Sequence, residues 1–81
     1  MNLRNIKTKQ DIIDYELSVS AATISGFTAD EFNAYAVVAA AYCYDTNGWR
    51  TSDRTSADEI TDDQLANVLS VVNKLPEAIA I

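Results

Sequence analysis

The chain has 81 residues, 48% of them apolar and 22% charged, with two glycines and one proline. That length holds one small domain, and that composition excludes wholesale disorder. Twelve acids against six bases leave a net charge of −6, which disfavours direct binding of nucleic acid, a ligand that calls for a basic footprint.

Residues 1–7 read as a flexible arm carrying Arg4 and Lys7. Thr8 can cap a first helix over residues 8–24, with Asp11 in its first turn. The stretch is ambiguous. Ile13, Tyr15, Leu17, Val19 and Ala21 alternate with polar residues, as in a half-buried strand. As a helix, it places Ile13, Leu17, Ala21 and Ile24 in one row, in steps of four, four and three residues. The cap and the scarcity of partner strands favour the helix.

Ser25-Gly26 breaks the chain. Thr28 and Glu31 then form a capping box, with Phe27 and Phe32 at its staple positions, opening a second helix over residues 28–45. Gly48, after Asn47, can supply the left-handed residue that ends it. Asn-Gly is also a hairpin signal, so the alternative fold is α+β, with a strand at 13–21 and a short hairpin around Asn47-Gly48.

The second helix carries the most informative run of the sequence. From Ala34 to Tyr44, eleven consecutive residues are apolar. At 100° per residue they fall into three sectors. Tyr35, Val38 and Tyr42 form a bulky stripe. Phe32, Ala36, Ala39, Ala40 and Cys43 form a sector of mostly small side chains. Ala34, Val37, Ala41 and Tyr44 form the third. A surface helix needs one polar side, and two neighbouring helices cover two sectors, not three. The small sector, or the tyrosine stripe, is therefore expected to meet a second chain, most simply across a two-fold axis. The run is about 16 Å long, too short to span a bilayer.

Residues 46–60 read as a polar loop. Ser56–Glu59 and Thr61–Gln64 are both capping boxes, and Ile60 with Leu65 makes a staple only for the second. A third helix is placed at residues 61–75, with a stripe of Leu65, Val68, Leu69, Val72 and Leu75 ended by Pro76. Residues 76–81 form an apolar tail that can dock on the core. The expected fold is all-α: a small three-helix, possibly four-helix, bundle around a central all-apolar helix.

Little in the chain carries chemistry. It has no histidine, and its single cysteine, Cys43, has no histidine partner and lies in an apolar run. Cys43 is therefore expected to be a small core residue. Neither phosphate-binding glycine motif occurs. Asp45-Thr46-Asn47-Gly48 resembles the opening of a calcium loop, but the sixth and twelfth positions hold Arg50 and Ser56 instead of Gly and Glu. Acyl carrier proteins are also short, acidic and helical, but they open their second helix with Asp-Ser-Leu. Here that start reads TADEF, and Asp-Ser occurs nowhere. No enzyme, cofactor or metal is expected.

Two clusters remain. Asp58, Glu59, Asp62 and Asp63 can face a basic partner, or simply compensate helix dipoles. Trp49, with Arg50 and Arg54, can be a binding hot spot, or Trp49 can fold back as a lid on the core. The expected function is a non-catalytic protein–protein interaction module that self-associates or binds a larger protein. The alternative is an acidic inhibitor of the phage or mobile-element type, a DNA mimic or anti-defence protein that blocks a nucleic-acid-binding site. With one cysteine, no leader signal and no membrane segment, the expected compartment is the cytoplasm.

Overall fold

The computed structural model of the chain describes residues 2–45 and 47–76. Within them the protein is mostly helical, with four α-helices: α1 (Lys9–Ser18), α2 (Ala21–Ser25), α3 (Ala29–Cys43) and α4 (Asp62–Val72). Short 3-10 turns lie at Leu3–Asn5 and Ala57–Glu59, and the described residues form no strand. The α+β alternative is thereby overturned, because residues 13–18 lie in α1 and the Asn47-Gly48 turn closes with a single antiparallel bridge between Tyr44 and Arg50.

Reciprocal capping decides where the helices start. At α1 the Asp11 amide donates to Thr8 Oγ1 at 3.2 Å, and the Thr8 amide donates to Asp11 Oδ2 at 3.0 Å. Thr28 with Glu31 does the same for α3, Ser56 with Glu59 for the second 3-10 turn, and Thr61 with Gln64 for α4. Each box satisfies amides that a helix start leaves without partners.

Three expectations about the first 25 residues need correction. The segment read as an arm is part of the core: Asn2 caps the 3-10 turn, and Leu3 and Ile6 are fully buried. The single helix over 8–24 is two, because Val19 is extended and Ser20 Oγ accepts the Thr23 amide at 3.2 Å, capping α2. The expected inward row of Ile13, Leu17 and Ala21 also fails, since Leu17 is 72% exposed. Ile12, Ile13 and Tyr15 are buried, with Glu16 and Val19 half-buried.

α3 packs against α1, α4 and the first 3-10 turn. Its buried residues Ala34, Val38, Ala41 and Tyr42 join Ile12, Ile13 and Tyr15 of α1 and Val68 and Val72 of α4, with Leu3, Ile6 and Ile60 closing the core. Gly48 has the left-handed conformation (φ 82°), but in the turn and not at the helix end. α3 stops earlier, at Cys43, where backbone amides of the polar loop replace helical donors: Thr51 N–H reaches Cys43 O at 2.8 Å and Arg54 N–H reaches Tyr42 O at 3.2 Å. The apolar tail expected at Ala78, Ile79 and Ile81 lies outside the described residues.

Candidate interaction surface

The core stripe of α3 runs through Ala34, Val38, Ala41 and Tyr42, so the opposite side of the helix carries Phe32, Ala36, Ala39, Ala40 and Cys43. On that side Phe32 is 52% exposed, Ala36 is exposed, and Ala39, Ala40 and Cys43 are half-buried. The tyrosine stripe instead faces inward. Val38 and Tyr42 are buried, and half-buried Tyr35 sits in an aromatic group, its ring 5.9 Å from Phe27, 6.4 Å from Phe32 and 6.4 Å from Tyr15. Of the two candidate sectors, the small one is the more open to solvent, at Phe32 and Ala36.

The open side continues at Ala40 into a groove of about 420 Å³ between α3, α4 and the Asn47-Gly48 turn. Val37, Ala40, Ala41 and Tyr44 give it an apolar floor. Its polar rim is largely committed to the fold. Asp45 Oδ1 accepts the Asn47 and Trp49 amides at 2.9 and 3.0 Å, and Gln64 combines its capping role with a 2.7 Å bond to Tyr44 O. Asp63 and Asn67 complete the rim.

Trp49 is 74% exposed, which overturns its reading as a core lid. The hydrogen-bonded turn holds its backbone beside Asp45 and leaves the indole in solvent. Arg50 is exposed as well, whereas Arg54 is half-buried and donates to Tyr44 O at 3.1 Å. Of the four acids, two have partners within the fold. Lys9 Nζ lies 2.7 Å from Asp62 Oδ1, and that proximity lowers the pKa of Asp62. Glu59 accepts bonds from Thr55 and Ser56, which hold its carboxyl below the usual range. Asp58 and Asp63 are exposed.

A further group was not visible as a site in the sequence. Glu16 of α1 is half-buried, and its Oε1 atom is enclosed without a hydrogen-bond partner. Burial, reinforced by the negative charge of Asp53, pushes its pKa up to about 7. Asp53 also accepts the Cys43 thiol at 3.7 Å. Burial and then Asp53 raise the thiol pKa, which opposes a reactive thiolate. The Tyr15 hydroxyl is enclosed and unpartnered too, and its pKa is pushed up to about 12, chiefly by burial. The readable signal was spacing: Ile12, Tyr15 and Val19 lie three and seven residues apart and flank position 16 on one helix face.

No cluster of three or more metal-ligating side chains occurs among the described residues, and no helix there is long and apolar enough to cross a membrane. Compared with family models, curated proteins and solved structures, the chain matches none.

Proposed function

We propose that this protein is a non-catalytic interaction module: a small helical bundle centred on α3 that pairs with a second copy of itself through the open side of that helix. One observation carries the reading. The side of α3 bearing Phe32, Ala36, Ala39, Ala40 and Cys43 is apolar and lies opposite the core stripe; Phe32 and Ala36 are exposed and Ala39, Ala40 and Cys43 are only half-buried by the rest of the described chain. Its alanines let a second helix approach toward the short end of the usual 8–10 Å interaxial range. A two-fold axis would set the same side of each copy against the other and leave no unmatched surface. The side is only about 16 Å long, so the expected dimer is reversible, below the area of an obligate interface.

The acidic-inhibitor reading has weaker support, because Glu59 and Asp62 of the four-acid cluster are engaged within the fold.

Light scattering across a range of concentrations tests the proposal. The native chain should gain mass toward a dimer, and Ala36→Arg should weaken that association at least tenfold with unchanged helicity, since Ala36 already faces solvent. A native chain that stays monomeric at millimolar concentration, or an Ala36→Arg chain that associates as well as the native one, contradicts the proposal.

A further inference from the structure

A second feature is independent of self-association. The groove between α3, α4 and the Asn47-Gly48 turn has a floor of Val37, Ala40, Ala41 and Tyr44. Of these only Ala41 is buried, while Val37 and Ala40 are half-buried and Tyr44 is exposed. A concave apolar floor open to water is suited to burying a side chain from outside.

The charge around that floor is one-sided. Asp45 and Asp63 line the groove, and no lysine or arginine does. Asp45 accepts the Asn47 and Trp49 amides, neutral donors that bring no counter-charge. Asp63 is exposed, makes no ion pair among the described residues, and lies one helical turn from the exposed Asn67. Of the neighbouring bases, Arg54 donates to Tyr44 O, Lys9 pairs with Asp62, and Arg50 is not one of the walls.

Trp49 follows Gly48, itself a wall of the groove. Its N–H donates to Asp45 Oδ1 at 3.0 Å, and its carbonyl accepts the Asp45 amide at 3.0 Å. The backbone carrying this exposed indole is therefore already fixed, which lowers the ordering cost of binding through it.

We propose that the groove docks an arginine-bearing apolar segment of another protein: a leucine-sized side chain covers the floor, and a guanidinium two residues along meets the Asp63 carboxylate and the Trp49 indole. Side chains two residues apart share one face of an extended segment. Arginine suits both groups, because its planar head forks onto a carboxylate and stacks on an aromatic face. Its aliphatic stem adds cover to the floor. Anionic ligands are disfavoured by the two carboxylates, and an uncharged apolar segment leaves both without a counter-ion.

NMR titration of the full chain with the peptide acetyl-Leu-Ala-Arg-amide tests the groove, at a dilution where light scattering shows a monomer, so that its outcome is separate from that of self-association. The Val37, Ala40 and Asn67 amides should shift saturably at millimolar peptide. The fluorescence of Trp49, the only tryptophan, should change with the same midpoint. Exchanging the peptide's arginine for glutamine, or Asp63→Asn in the protein, should each weaken binding about two- to fivefold, as for an exposed charge pair. Exchanging its leucine for alanine should weaken binding about tenfold. The proposal is overturned if those amides do not shift, if Trp49 fluorescence is unchanged at saturation, or if the glutamine peptide binds as tightly as the arginine one. It is equally overturned if the same amides shift when the chain is concentrated without peptide, which assigns the groove to a second copy.

Discussion

Glu16 sits where the helical period of α1 would place an apolar residue. A carboxyl whose folded pKa is raised from 4.5 to about 7 weakens the fold as pH climbs through that interval. The unfolded chain releases the proton first, so the loss begins near the lower value and is complete above the higher one. The full shift sets a ceiling near 3 kcal/mol, and solvent around this half-exposed group reduces it to about 1 kcal/mol. Glu16→Gln should therefore be about 1 kcal/mol more stable than the native chain at pH 8 and about equal to it at pH 4, as read from urea unfolding at the two values. The position was missed: the spacing of Ile12, Tyr15 and Val19 carries the signal, but the alternation of Ile13, Tyr15 and Leu17 with polar residues suggested a strand and obscured it. The contribution of Asp53 to the raised pKa was not legible, because the two residues are far apart in sequence.

Helix starts were the most readable elements. Each is decided within four residues, by two side chains and two amides, so Thr28-x-x-Glu31 and Thr61-x-x-Gln64 could be read directly. Helix ends are less local. α3 stops at Cys43, inside its apolar run, because Thr51 and Arg54 deliver amides to its last carbonyls from eight and twelve residues downstream. The first seven residues hid their role for a similar reason. Leu3 and Ile6 are too few to show a period, and their burial depends on surfaces distant in sequence, α3 among them. Arg4 strengthens that docking by reaching Glu31 at 3.4 Å and Pro76 O. Ile6→Ala should cost about 2–5 kcal/mol, as for other large-to-small changes in a core, measured by the urea midpoint at constant slope. A true arm would tolerate the change with no shift.

At the scale of the whole molecule, the apolar run of α3 turns on what covers it. The eleven residues cannot all be enclosed by α1, α4 and the N-terminal turn, and the structure shows which remain outside. Angular sorting of the sequence identified two candidate sectors; only the packed chain distinguishes them, because Val38 and Tyr42 point into the core. The leftover side carries Phe32 and otherwise small residues that suit a close-packed helix pair, while the net charge of −6 favours solubility over indiscriminate association. Trp49, expected to help close the core, lies in solvent and adds nothing to that cover.

The central claim, that two copies meet through this side of α3, is tested most directly by isotope-filtered NMR on a mixture of labelled and unlabelled chains. Contacts between chains should appear at the Ala36 and Ala40 methyls and the Phe32 ring and vanish in Ala36→Arg. Their absence at a concentration where the native chain is dimeric, or their appearance only at other surfaces, would contradict it.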